Sequence, residues 1–336
     1  MPFKLKVWIM HKSNEKNKKY LQYYFHSSES LGSTLKAFFQ VNYEASYIKE
    51  GFYQFYHNPG SQVVLVAHLD TIHQELPTKI FQGAGNTFSA KEGIGADDRN
   101  GVIATVELFR RSVDSGKPVP SIIFTYGEEL GGIGVRKLAE DRELVGLLKQ
   151  KHLFIEFDRR GAHDFVTYNN KNKELYQVLT DVGFKEARGS YTDIVTLADA
   201  TGVMGVNISA GYYNAHTKQE LSNFDELFFN IDRIETLLPV FEHNQYFIEE
   251  PVADIDSTAD LVRIAYAEAF ENYITMQSMH GIEHSISIEA ITGLYPDYID
   301  EYEEIEYLLE YAKDVDVLAV NKQPIIEHEY EQMELI

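Results

Sequence analysis

Four short apolar runs set the terms on which this chain can fold. Val63–Ala67, Val119–Tyr126, His152–Phe157 and Val203–Ile208 are rich in Val, Ile and Phe and are bounded by polar or turn residues. Runs that short and that continuous read as strands buried on both faces. Between them lie stretches with helical periodicity: Val102–Arg111, Val135–Glu140, Lys173–Val182 and Ser222–Phe241. The last carries Phe224, Leu227, Phe228, Ile231, Ile234 and Leu238 along one side. Strands alternating with helices predict an α/β fold with a mixed, largely parallel central sheet flanked by helices. Residues 1–60 read as mixed local structure, and Gln74–Gly95 as a long connection.

Ligands of such sheets bind beyond the carboxyl ends of the strands. At or shortly after those ends this chain places His68, Glu128 with Glu129, Asp158 and His216. His68 and Asp70, two positions apart in an extended chain, share a face. That pairing suits a metal-binding histidine whose second ring nitrogen is held by a carboxylate. Each element also has a plain reading. Asp97 and Asp98 can cap the helix that follows, Glu128-Glu129 can be a solvated helix start, and His216 a loop histidine. Separate plain readings leave unexplained why polar groups recur at one strand end after another.

Composition narrows the chemistry. With no cysteine, thiolate ligands are excluded and any metal rests on His, Asp and Glu. No apolar stretch approaches the roughly 20 residues that span a bilayer, and the basic N-terminus has too short an apolar run for a signal sequence. A cytoplasmic protein without membrane attachment is the expectation. A net charge of −22 argues against nucleic-acid partners. The charge is uneven: from residue 250 to the end there are 21 acidic residues against Arg263, Lys313 and Lys322. This shift predicts a boundary, with one domain over 1–249 and an acidic C-terminal extension over 250–336. Ser257–Met276 and Asp297–Lys313 read as helical within it, serving as a packed appendage or as a docking element.

Together, His68-Leu-Asp70-Thr, Gly95-Ala-Asp97-Asp98-Arg-Asn-Gly101, Glu128-Glu129, Glu156-Phe-Asp158 and Ala215-His216-Thr resemble the motifs of co-catalytic di-zinc exopeptidases, in the same order. That group includes di-zinc aminopeptidases, glutamyl aminopeptidases, tripeptidases and amino-acid deacylases, and the resemblance spans roughly residues 61–240. It implies two divalent metal ions, zinc first, with manganese or cobalt as substitutes. Asp97 would bridge both ions, His68 and Asp158 would complete one, and Glu129 with His216 the other. Glu128 would be the general base of a metal-activated water, and Asp70 would orient His68. Two ions about 3.5–4 Å apart do need a bridging carboxylate and terminal N and O ligands, and adjacent carboxylates let one bind metal while the other accepts a proton.

The implied activity is amide-bond hydrolysis by an aminopeptidase acting on short peptides. An N-acyl amino acid deacylase or a dipeptidase shares the same metal chemistry. From a different class, an inactive binding module would recruit partners through the acidic C-terminus. Relatives with a lid domain insert it between the equivalents of Asp158 and His216, where this chain has 57 residues; shell-forming relatives insert one between those of His68 and Asp97, where it has 28. The chain therefore resembles the minimal catalytic domain, and oligomeric state is left open. So are the roles of five side chains. Arg159 could bind a substrate carboxylate or balance acids, Tyr212 and Tyr213 could hold a reaction intermediate or pack, and Glu156 or Asp193 could receive a substrate amine.

Overall fold

The computed structural model describes residues 19–249 except 44, 169 and 190. The expected helical extension over 250–336 lies outside them. An eight-stranded sheet is built from β1 (Ala45–Lys49), β2 (Tyr53–His57), β3 (Val63–His68), β6 (Ser121–Thr125), β7 (Leu153–Arg159), β8 (Asp164–Val166), β9 (Lys185–Glu186) and β10 (Gly205–Ser209). Its order is β1-β2-β6-β3-β7-β10-β8-β9. The four central strands β6, β3, β7 and β10 run parallel, and they correspond to the four apolar runs of the sequence. β1, β2 and β8 join antiparallel, which makes the sheet mixed. A second, four-stranded sheet pairs β11 (Tyr212–Tyr213), β12 (Leu221–Asn223), β5 (Thr87–Ala90) and β4 (Ile80–Gln82) in that order.

Alternation along the central strands sorts their side chains between two cores. Val63, Leu65 and Ala67 of β3 and Leu153, Ile155 and Phe157 of β7 face one side. There they meet the helices Ser28–Phe39, Ala96–Ser115 and Phe224–His243, through residues such as Leu35, Val102, Val106, Leu227 and Ile231. Val64 and Val66, Ile123 and Phe154 face the other side, against Val135, Leu138, Leu144, Ile194 and Leu197 of three shorter helices. Burying a Val, Leu, Ile or Phe side chain contributes about 1.5–3 kcal/mol, so the two cores hold the sheet as the middle of three layers.

On the second face the pattern changes chemistry at the strand ends. The positions that continue it are His68, Thr125, Glu156, Asp158 and Asn207, all polar. The interval 69–96 contains only β4 and β5, and 159–215 only β8 to β11 and the helices Lys173–Asp181 and Asp193–Thr201. Neither leaves room for an inserted domain. Among the described residues, no helix is long and apolar enough to cross a membrane.

Candidate metal centre

The sequence-derived site residues converge on one point from separate strands, a helix entry and two turns. His68 ends β3 and is fully buried. Asp158 stands near the end of β7. Asp97 and Asp98 occupy the non-helical entry to the helix Ala96–Ser115, following Gly95 at φ +69°. Glu128 and Glu129 lie on the turn after β6, and His216 on the turn after β11. His216 has φ +64°, a left-handed conformation uncommon for a side chain with a Cβ. Such strain persists only where the surroundings impose it, which makes this turn a candidate functional element in its own right.

Asp97 is the centre of the cluster. His68 Nε2 is 3.1 Å from its Oδ1, and His216 Nε2 is 3.2 Å from its Oδ2. His68 Nε2 is also 3.7 Å from Asp158 Oδ1, and His216 Nε2 is 3.2 Å from Glu129 Oε2. Three groups of potential ligands result, His68/Asp97/Asp158, Asp97/Glu129/His216 and His68/Glu128/Glu129, in each of which the ligand atoms lie within 4.8 Å of one another. Asp97 belongs to the first two. Glu128 belongs only to the third, its Oε2 4.0 Å from His68 Nε2.

Asp70 faces the other nitrogen of His68, with Oδ1 3.5 Å from Nδ1. Its carboxylate also accepts the backbone amides of Gly127 (2.8 Å), Glu128 (3.3 Å) and Glu129 (3.1 Å). One side chain thus lies beside His68 Nδ1 and holds the turn bearing both glutamates. Asp98 does more than cap its helix: Oδ1 accepts the Gly101 amide at 2.8 Å and Oδ2 the His68 amide at 3.3 Å.

Three further residues support the ligands, and sequence reasoning did not single them out. Asn207 accepts the Asp158 amide (2.8 Å) and donates to the Asp158 carbonyl (3.0 Å). Thr192 Oγ1 lies 2.7 Å from Glu156 Oε2 and 2.9 Å from Asp158 Oδ2. Glu220 accepts amides from the segment that carries Asp97. A lone asparagine in the otherwise apolar Gly205–Ile208 was a legible signal for Asn207; Thr192 and Glu220 had none beyond their nearness to Asp193 and His216.

Of the groups left open by the sequence, Tyr212 donates from its hydroxyl to Asp158, 3.1 Å from the carbonyl and 3.2 Å from Oδ1. Tyr213 instead bonds Glu226 at 2.6 Å. Arg159 Nε is 4.0 Å from Asp164 Oδ2. Glu156 and Asp193 are fully buried, and each keeps one carboxylate oxygen without a partner.

The electrostatics are those of crowded carboxylates. Burial pushes the Glu128 carboxyl well above its ordinary range, and Glu129, Asp158 and Asp193 push it further. Burial and the Asp97 charge raise Asp158 to about 7. Burial also opposes ionisation of Asp97, but hydrogen bonds from His216 and His68 outweigh it and hold Asp97 well below the usual range. Buried anions need paired cations, and two imidazoles are few for this many acids. Glu129 Oε1 is a further buried oxygen without a partner. Two N and several O donors converging on shared space fit divalent ions of the zinc, manganese or cobalt kind.

Residues 54–219 match Peptidase family M28. Among solved structures, the fold is similar to aminopeptidase PepT from Bacillus cereus, with TM-score 0.55 and 12% identity over 68% of this chain and 98% of that one. A tripeptidase from Staphylococcus aureus gives TM-score 0.54 and 11% identity over 67% and 97%. No curated protein matches in sequence.

Proposed function

Because the chain belongs, through residues 54–219, to peptidase family M28 and is a metallopeptidase, we propose that it is an aminopeptidase that removes N-terminal residues from short peptides at a two-metal centre. The observation that carries this reading is the sharing of Asp97 between two ligand groups, His68/Asp158 on one side and Glu129/His216 on the other. The aminopeptidase and tripeptidase names of the similar structures favour peptides over N-acyl amino acids as substrates.

Two divalent ions held there supply the positive charge that acidifies a water and polarises a scissile carbonyl. The chain's own contribution is proton handling and alignment. Glu128, which lies outside both groups that share Asp97, takes a proton from the attacking water on its carboxylate and returns it to the departing amine. Its burial raises its proton affinity, which strengthens it as a base. Asp70 keeps His68 turned so that Nε2 faces the ligands, and through three amides it fixes how far Glu128 stands from them. Asn207 and Tyr212 hold Asp158 on the opposite side.

The test is zinc content by elemental analysis after dialysis against trace zinc, followed by hydrolysis of amino-acyl amides beside N-acyl amino acids. Close to two ions per chain and cleavage of the amides is the expected result. Wild-type zinc content in His68→Ala and Asp97→Ala would sink the ligand assignment, and cleavage of only the acylated substrates would make the protein a deacylase.

A further inference from the structure

Glu220 lies four residues beyond His216, is buried, and has no place in the ligand groups. Its Oε2 accepts the Gly95 amide at 2.7 Å and His73 Nε2 at 2.7 Å, and its Oε1 accepts the Asp97 amide at 3.1 Å. Three segments meet on this one carboxylate: the loop after β3, the glycine-rich entry to the helix Ala96–Ser115, and the turn that carries His216. The local sequence is shaped to allow it. A Cβ at Gly93, where φ is +97°, would come within 2.2 Å of the His73 ring, and a Cβ at Gly95 within 3.2 Å of Thr71 Oγ1. Only glycine lets His73 lie against that backbone and reach Glu220.

We propose that Glu220, with His73 as its partner, is a positioning residue of the metal centre, setting the distance between Asp97 and His216. The argument rests on the two-metal reading above. Asp97 is shared by two of the ligand groups, and its backbone amide is one of the three groups Glu220 holds. His216 sits in a strained conformation on the same short turn as Glu220. A shift of the carboxylate therefore moves Asp97 relative to His216. Partners of metal ligands typically change affinity by about 10–100-fold when lost. A purely architectural glutamate would stabilise the fold and leave the affinity of the folded protein alone.

The experiment compares wild type, Glu220→Gln and Glu220→Asp by three readouts. These are zinc affinity of the metal-free protein by chelator competition, its unfolding midpoint without metal, and kcat and KM at saturating zinc. Glutamine keeps one acceptor oxygen, so its NH2 group must face either the His73 and Gly95 donors or the Asp97 amide; aspartate keeps the charge but is one methylene too short to span both amides. We expect zinc affinity to fall about 10–100-fold in both variants, with kcat lowered and KM unchanged. A lowered midpoint with wild-type affinity and kcat would overturn the assignment. Should Glu220→Gln fail to fold, the affinity of Glu220→Asp decides in the same way. A wild-type chain that takes up no zinc would overturn the metal-centre reading and this one with it, whereas unchanged tight binding in all three proteins would overturn the role of Glu220 alone.

Discussion

At the scale of single residues, the division of labour proposed for Glu128 and Glu129 turns on a small difference in position. Glu129 Oε2 lies 3.2 Å from His216 Nε2, among the shared ligands, whereas the nearest imidazole nitrogen to Glu128 is 4.0 Å away. Glu128→Gln keeps the shape and removes the basic oxygen. It should retain zinc and lose about 10²–10⁴-fold in kcat, the range for loss of a general base; measured turnover near wild type would remove Glu128 from that role. Glu129→Gln is the contrasting case, with zinc content expected to fall first. In the sequence the two glutamates are indistinguishable apart from the resemblance, because what separates them is the Asp70 carboxylate gripping their amides. Asp70 itself was legible as the partner of His68, from strand alternation alone. Its second function was not, since the three amides it holds are 57 to 59 positions away along the chain.

At the scale of elements, the four parallel strands were legible because each is a continuous apolar run. Three of the four predicted helices match observed ones to within about two residues at either end. The fourth begins six residues earlier than its apolar periodicity, at Ala96, since its first turn is the polar ligand segment. The small sheet was not legible: β4, β5, β11 and β12 are two to four residues long and give no period to detect. Gly101 makes the functional cost of this architecture measurable. A helix interior ordinarily prefers alanine to glycine by about 0.8–1.0 kcal/mol. Here, however, a Cβ would come 2.3 Å from the Asp98 carboxylate oxygens, and overpacking of that kind costs about 1–3 kcal/mol. Gly101→Ala should therefore lower the unfolding midpoint and, by displacing Asp98 from the His68 amide, weaken zinc retention. A stabilised variant with full zinc content would contradict that account.

At the scale of the whole molecule, three phenols couple their ionisation to the fold. Burial pushes the hydroxyls of Tyr24, Tyr43 and Tyr20 well above the ordinary 10.0. A native proton affinity higher than the unfolded one contributes stability that is fully present below pH 10 and is lost as the pH rises beyond it. Alkaline titration should show the tyrosinate absorbance of this group appearing only together with loss of the circular dichroism of the fold. Ionisation of all tyrosines ahead of unfolding would refute it. The small sheet has a different consequence, one of timing. β12 pairs with β5, so Leu221–Asn223 closes a loop of more than 130 residues onto Thr87–Ser89. Contacts of that separation form late, because the entropy of closing the loop is lost before they can stabilise anything. The turn bearing His216 hangs between β11 and β12, so the site is complete only after this long-range pairing has formed. A refolding sample should regain most of its helical and sheet signal before it can sequester zinc from an indicator dye, and the lag between the two traces would clock the arrival of the last ligand.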